Sequence, residues 1–207
     1  MRSAASRFAS GYDARTLVGE QWIRANRQLV HKLSNGRVGY VYVAAMDHKE
    51  FKRFESEVFS EGYGRDALII DVRNNHGGYT ADQMLSILCA QEHSFEVPRN
   101  GQRGYLMGYT VHPVWTKPIG VICNAITGSN GEIFTHAVKT LKRGIVVGQP
   151  TGGAVIATND RPLLDYGKFR DAEYTIRVSN PKGLTHGRPV HIPYEPGCHE
   201  VNVVISE

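Results

Sequence analysis

A serine stands between two glycines at residues 128–134, which read GSNGEIF. Ser129 follows a short apolar run at residues 118–123, PIGVIC, which is typical of a buried strand, and precedes a stretch with the apolar spacing of a helix. A serine at such a turn can act as a nucleophile, because the next backbone N–H, from Asn130, points out of a helix N-terminus where anions are stabilised. The spacing of Ser129 and Glu132 is also that of a capping box, so the pattern alone allows a helix cap as well as a nucleophile.

A second loop with polar residues and glycines lies at residues 71–78, DVRNNHGG, after the apolar run ALIIDV. Adjacent glycines such as Gly77 and Gly78 form turns and expose backbone N–H groups. One N–H from this turn and one from Asn130 would form an oxyanion hole, if the two strand ends lie side by side. The carboxyl edge of a parallel sheet is where α/β proteins usually bind ligands. A simple turn between a strand and a helix is the alternative reading.

A nucleophilic serine needs a base, and the chain has nine histidines. His136 is seven residues beyond Ser129 on the same predicted helix, two turns away, where it cannot easily reach the hydroxyl. His76 lies in the glycine loop and could line the site. His31 ends the first predicted helix. Spacing alone does not choose among them.

The order of the predicted elements indicates how these residues are positioned. Residues 1–15 are predicted to form an irregular, flexible segment or linker, and residues 16–207 one domain. Strands alternate with helices in that domain, which predicts an α/β fold with a largely parallel central sheet flanked by helices. The predicted helices span residues 16–33, 48–61, 80–90 and 130–142, and the predicted strands span 37–44, 67–72, 118–123 and 144–147, followed by alternating strands and turns.

Composition limits the classes of protein to consider. The chain has 207 residues, 41% of them hydrophobic and 21% charged, which suits one globular domain. The net charge of +4 is spread along the chain and indicates a solvated surface rather than a nucleic-acid partner. Cys89, Cys123 and Cys198 are far apart and form no CxxC, so we expect no disulfide framework, no metal site and no other cofactor.

The same cysteine pattern favours a reducing compartment, and we expect a cytoplasmic location. Residues 1–11 are rich in Ser, Ala and Arg, as organelle transit peptides are, but a linker explains this composition equally well. No apolar run approaches the length of a membrane span, so no membrane partner is predicted.

The two loops together resemble peptidase family S41, the serine peptidases that include the carboxy-terminal processing proteases and the tricorn proteases. DVRNNHGG and GSNGEIF occur in the family's order, each after a predicted strand, and RGIVVGQPTGG follows at residues 143–153. The resemblance covers roughly Thr16 to the C-terminus. It implies a crotonase/ClpP-like α/β core and hydrolysis of peptides or unfolded proteins. It also implies assembly into trimers or hexamers.

The resemblance also implies roles for particular residues. In the processing proteases a lysine just after the P-T-x-G segment activates the serine, but here that position is Ala154. The segment around His31 looks like the tricorn segment that carries the base. Ser129 would then attack the peptide carbonyl with His31 as base, and Asn130 with Gly77 or Gly78 would hold the oxyanion.

Two departures from the tricorn pattern are visible. Val30 stands where the family has a serine before the histidine, and the late glutamate that orients the imidazole has only a loose counterpart in Glu195, with Thr185 or His186 as substitutes. Nothing in the chain resembles the β-propellers and PDZ domain that precede the tricorn core. A catalytically inactive peptide-binding module of the same fold is therefore an alternative, and a crotonase-like acyl-CoA enzyme is another.

Overall fold

The fold is known from a computed structural model, which describes the backbone of residues 11–90, 94–102, 106–107, 114–162 and 168–175, and the side chains of 17–90, 94–102 and 114–155. Its helices are α1 (Gly11–Leu33), α2 (His48–Gly62), α3 (Ala81–Cys89) and α4 (Asn130–Thr140). Its strands are β1 (Val38–Tyr42), β2 (Ala67–Asp71), β3 (Ser94–Phe95), β4 (Leu106–Met107), β5 (Ile119–Cys123), β6 (Ile145–Gly148), β7 (Ile156–Pro162) and β8 (Lys168–Thr175).

The central sheet is parallel and has the strand order β1-β2-β5-β6. Asp71 at the end of β2 pairs with Tyr42 on one side and with Ile122 of β5 on the other. The carboxyl ends of β1, β2 and β5 therefore lie along one edge, which we call the carboxyl edge; the opposite one is the amino edge. The α/β prediction with a parallel sheet is confirmed.

Two further pairs of strands are antiparallel. β3 pairs with β4, and β7 pairs with β8 with an irregularity between Ala157 and Thr158. The alternating pattern after residue 153 predicted strands in the region of β7 and β8, whereas β3 and β4 were not predicted.

Apolar periodicity explains how the helices pack on the sheet. In α2, Phe51, Phe54 and Val58 are buried at the three- and four-residue spacing of one helix face. Asp47 caps this helix, because its side chain accepts the N–H of Glu50 at 2.8 Å. The core between the helices and the sheet is formed mainly by side chains from β1, β2, β5, α2, α3 and α4, including Val41, Leu68, Ile70, Met84, Ile87, Val121 and Phe134.

Helix α1 begins at Gly11, five residues before the predicted start. Residues 11–15, GYDAR, contain good helix formers and an aspartate in the first turn, where a negative charge stabilises a helix. Of the α1 side chains that the structure describes, Ile23 is buried, while Arg27 pairs with Glu57 of α2 at 3.2 Å. Among the described residues, no helix has the length and hydropathy needed to cross a lipid bilayer.

Cys123 at the end of β5 gives the fold a measurable pH dependence. Its thiol is buried and donates to the carbonyl of Gln149 at 3.4 Å. Burial, helped by the negative charge of Asp71, raises the pKa of this thiol to about 11 from its ordinary value of 9.0. Because the folded state favours the neutral thiol, this contribution to stability is complete below pH 9 and is lost as the pH rises through 11.

We therefore expect the free energy of unfolding of the wild type to fall by about 2 kcal/mol more than that of Cys123→Ala between pH 8 and pH 11. The alanine variant starts lower because it leaves a cavity, but it has no thiol to ionise at this position. Urea unfolding at a series of pH values measures both curves. Parallel curves would show that the thiol ionises equally easily in the folded and unfolded chains.

Candidate functional site

Ser129 lies at the carboxyl edge of the sheet, in the turn from β5 to α4. Its backbone angles are φ 52° and ψ −122°, a left-handed φ that costs a serine about 1–3 kcal/mol. The side chain of Thr127 holds the preceding turn in place by donating to the carbonyl of Val72 at 2.8 Å. Ser129 is half-buried, so a substrate can reach it.

The glycine turn lies directly against this serine. Gly77 has φ +91°, and a Cβ placed on it would lie 2.5 Å from the Ser129 Cβ and 2.8 Å from the Asn130 nitrogen. The N–H of Gly128 donates to the carbonyl of Asn75 at 2.8 Å. The loop after β2 and the loop after β5 are therefore in contact along their backbones.

The backbone N–H groups around Ser129 differ in their hydrogen bonds. The N–H of Gly77 donates to Oδ1 of Asn75 at 2.8 Å, so it is already engaged. The N–H groups of Gly78 and Asn130 have no acceptor in the part of the chain that the structure describes. Of the three predicted oxyanion donors, Gly78 and Asn130 are available, whereas Gly77 supplies the close packing against the serine.

Side-chain amides of two asparagines hold these loops. Asn75 is fully buried, and its Nδ2 donates to the carbonyl of Val43 at 2.9 Å while its Oδ1 accepts from Gly77. Asn130 Oδ1 accepts the N–H of Ala81 at 2.8 Å, which ties the start of α4 to the start of α3. Asn75 was not among the predicted site residues; an amide shortly before two glycines is the signal that the sequence offers for it.

The start of the glycine loop is anchored by a buried ionic cluster. Asp71 is fully buried, and its carboxylate accepts hydrogen bonds from Tyr40 Oη at 2.7 Å and from Arg73 Nη2 at 2.5 Å. Burial, and then the hydrogen bond to Asp71, raise the pKa of Tyr40 far above its ordinary value. The Arg73 guanidinium in turn lies 4.9 Å from the centre of the Trp22 ring on α1. The hydrogen bond to Asp71 raises the pKa of Arg73 further, so this charge stays in place.

The structure does not bring His31 to Ser129. The His31 ring packs over Gly36, whose ideal Cβ would lie 3.3 Å from the imidazole Nε2, and Gly36 precedes β1 at the amino edge. β1 has five residues, which span about 13 Å at roughly 3.3 Å per residue. Helix α1 leads to the same result. Trp22 lies at the carboxyl edge, because its ring contacts Tyr42 and Arg73. His31 is nine residues further along the same helix, which is a distance of about 13 Å along the helix axis. This placement does not fit the predicted role of His31 as the base.

The other described histidines occupy different positions. His136 bonds Thr140 Oγ1 at 2.9 Å on α4, and burial and then the charge of Lys139 lower its pKa. His76 is exposed and stands between Asn75 and Gly77, both of which contact the serine loop. His48 begins α2 at the same edge of the sheet. The predicted orienting residues Thr185, His186 and Glu195 lie outside the described residues.

Glu132 does more than the capping box predicted. Its Oε1 accepts the N–H of Ser129 at 2.9 Å, as a capping glutamate does, and its own N–H donates to the Ser129 carbonyl at 2.9 Å. The same carboxylate also accepts the N–H groups of Gly153 and Ala154, each at 2.8 Å. Within the described residues, no group of three or more His, Cys, Asp or Glu side chains could hold a metal ion.

These features define a class of protein: an α/β domain in which a strained serine and a glycine turn meet beyond the ends of two neighbouring parallel strands. The profile of Peptidase family S41 matches residues 37–187 of the chain. A tricorn protease homolog from Saccharolobus solfataricus is 34% identical over 169 residues, which are 81% of this chain and 15% of that protein. The tricorn protease of Thermoplasma volcanium is 31% identical over 196 residues, 92% of this chain and 18% of that protein.

A crystal structure of the tricorn protease is similar in fold as well, with a TM-score of 0.58 and 31% identity over 71% of this chain and 14% of that one. The chain belongs to Peptidase family S41. It spans less than a fifth of the length of each of these relatives.

Proposed function

We propose that this domain is a serine peptidase that hydrolyses peptide bonds through an acyl-enzyme on Ser129. The observation that carries the proposal is a strained and accessible serine with two N–H groups nearby that have no acceptor among the described residues: that of Asn130, the next residue, and that of Gly78, in the glycine turn that packs against the serine. Two fixed backbone donors aimed at one point stabilise the oxyanion of a tetrahedral intermediate, and losing one such donor typically costs about 10²–10³ in turnover.

The chemistry follows from these positions. Ser129 Oγ attacks the carbonyl carbon of a peptide while a base takes the hydroxyl proton. The carbonyl oxygen becomes negative and is bound by the N–H groups of Gly78 and Asn130, the second of which lies at the positive end of the α4 dipole. The leaving amine receives the proton, and water then releases the acyl group from Ser129.

We assign the base to His76. His31 packs on Gly36 at the amino edge, about the length of a strand away from the serine. His76 instead lies within the loop that contacts Ser129, between Asn75 and Gly77, and its exposure leaves the ring free to turn toward a substrate. Catalytic hydrogen bonds often tighten only when substrate binds.

The substrate class, assembly and location are part of the same proposal. The relatives are named proteases, which supports peptides or unfolded proteins as substrates. A trimer or hexamer remains the expected assembly, by resemblance to the family. The cytoplasm remains the expected location, on the cysteine pattern of the sequence.

A catalytically inactive peptide-binding module is the second candidate. The position of His31 favours it, because a serine without a base is a poor nucleophile. The two candidates make different predictions for the reactivity of Ser129.

Labelling with a fluorophosphonate probe, located by mass spectrometry, tests the proposal. We expect label on Ser129 of the wild type and of His31→Ala at rates within twofold of each other, since the His31 ring does not reach the serine. His76→Ala should label about 10²-fold more slowly or worse, the usual contribution of general-base catalysis. His48→Ala, which changes another exposed histidine at the same edge, is the matched control and should label as the wild type does.

Other results identify the alternatives. Loss of label in His31→Ala alone would restore His31 as the base. Equal labelling of all three histidine variants would exclude His31, His48 and His76 as the base and would reject the assignment to His76. No label on the wild type would favour the inactive module.

A further inference from the structure

Glu132 makes contacts that a helix cap does not need. Its side chain is fully buried, and its three hydrogen-bond donors are all backbone N–H groups. Oε1 serves Ser129 and Ala154 at 2.9 and 2.8 Å, and Oε2 serves Gly153 at 2.8 Å. Capping requires only the Ser129 bond, so the other two are an additional function of this carboxylate.

Burying the Glu132 carboxylate costs desolvation free energy, and the single hydrogen bond of a helix cap would not offset it. A carboxylate without a cationic partner is expensive to remove from water unless hydrogen bonds satisfy it. No lysine or arginine pairs with Glu132 among the described side chains. Charge-assisted bonds from three N–H groups and its position in the first turn of α4 supply the compensation. These bonds offset the cost of burial, and two of them connect the carboxylate to a segment that is distant in sequence.

The segment that Glu132 holds lies beside the serine. The N–H of Gly152 donates to the carbonyl of Thr127 at 2.8 Å, and Thr151 and Val155 are buried at its two ends. Gly152 and Ala154 are exposed, so the segment presents its backbone to solvent next to the turn that carries Ser129. We call residues 152–154 the wall segment. The contact between Gly152 and Thr127 is a further link between the wall segment and the serine turn.

We infer that Glu132 is a positioning residue, which holds the peptide unit of Ser129 and the wall segment as one rigid body, so that the serine meets its substrate in a fixed geometry. This inference rests on the proposed role of Ser129. Displacement of a reacting group by about 1 Å costs on the order of 10² in rate. Glu132 itself touches neither the substrate nor the Ser129 hydroxyl proton in this role, and it acts through the backbone.

The rate test uses fluorophosphonate labelling of Ser129. The labelling rate is measured at several probe concentrations, which gives the affinity of probe binding and the maximal labelling rate as separate quantities. Glu132→Gln keeps the size of the side chain but puts an NH₂ group against at least one backbone donor. We expect its maximal rate to fall about tenfold and that of Glu132→Ala about 10²-fold, with probe binding within threefold of the wild type. Thr135→Val is the matched control, because Thr135 is equally buried on α4 and bonds only the carbonyl of Gly131. It should label within twofold of the wild type.

Amide hydrogen exchange measured by NMR tests the same inference and does not require Ser129 to be reactive. In the wild type the amides of Ser129, Gly153 and Ala154 should be protected. Glu132→Gln should expose mainly Gly153, since the remaining oxygen can serve the two donors that share Oε1. Thr135→Val should leave all three protected. The exchange measurement on Glu132→Gln tests the inference even if Glu132→Ala does not fold.

The two measurements separate failure of this inference from failure of the proposed function. A wild type that does not label, together with the expected exchange pattern, would reject Ser129 as a nucleophile but keep the connection made by Glu132. Amides that stay protected in Glu132→Gln would overturn the inference. So would faster exchange with an unchanged labelling rate, because the hydrogen bonds would then be structural only.

Discussion

Replacing Ser129 with alanine is expected to abolish labelling by the fluorophosphonate probe and to lower peptide hydrolysis by at least about 10⁴-fold. Loss of a serine nucleophile removes the covalent route altogether, and what remains comes from the oxyanion donors and binding alone. Hydrolysis of an unfolded, fluorescently quenched protein substrate measures the effect. The backbone at this position keeps its left-handed φ in the variant, so the free energy of unfolding should change by less than about 1 kcal/mol.

Ser86→Ala is the matched control for this substitution. Ser86 is an exposed serine on α3 that bonds only the carbonyl of Gln83 at 2.6 Å. It should hydrolyse the substrate as the wild type does. Hydrolysis that persists in Ser129→Ala would show that another group performs the reaction, and the acyl-enzyme proposal would then be wrong.

Replacing Gly77 with alanine should have the second largest effect. The new Cβ would lie 2.5 Å from the Ser129 Cβ and 2.8 Å from the Asn130 nitrogen, distances that real Cβ atoms do not adopt. The glycine turn and the serine turn must therefore move apart, which separates the N–H of Gly78 from that of Asn130. We expect the labelling rate to fall by about 10²-fold or more. We also expect a loss of about 2–4 kcal/mol in the free energy of unfolding, from backbone strain and overpacking together.

Gly64→Ala is the control that separates the effect of backbone strain from the effect of the close contact between Gly77 and Ser129. Gly64 has φ +69°, but apart from its own atoms and those of its two chain neighbours, no atom of the described residues lies within 4 Å of the position that its Cβ would occupy. This variant should lose only about 1–2 kcal/mol of stability, the cost of a left-handed φ, and should label at the wild-type rate. If Gly77→Ala also labelled at the wild-type rate, the close approach of the two loops would have no part in the reactivity of Ser129.

Local patterns were sufficient to predict most of the described elements. Continuous apolar runs identified β2 and β5, because a strand in the middle of a parallel sheet is covered on both faces. Helical spacing of Phe51, Phe54 and Val58 identified α2, and its predicted end was one residue from the observed one. These features succeed because they depend on neighbours within a few residues along the chain.

The meeting of the two loops depends on the sheet and not on either motif. β2 and β5 are neighbours in the sheet, although α3 and two short strands separate them along the chain. Residue types could indicate that Gly78, Asn130 and Ser129 are suited to oxyanion chemistry. Only the hydrogen bonds of the folded chain distinguish the engaged N–H of Gly77 from the N–H groups of Gly78 and Asn130.

His31 and Glu132 show which structural features local sequence patterns can predict and which they cannot. The segment around His31 indicated a base, but α1 runs from the carboxyl edge to the amino edge, so its last turn lies at the wrong end of the sheet. Glu132 was identified as a helix cap because capping involves residues three apart; its bonds to Gly153 and Ala154 join positions more than twenty residues apart. Composition and spacing in this chain decide which helices and strands form and which chemical groups they carry. Distances between groups on different elements are set by strand pairing and packing, which bring together residues with no proximity along the chain.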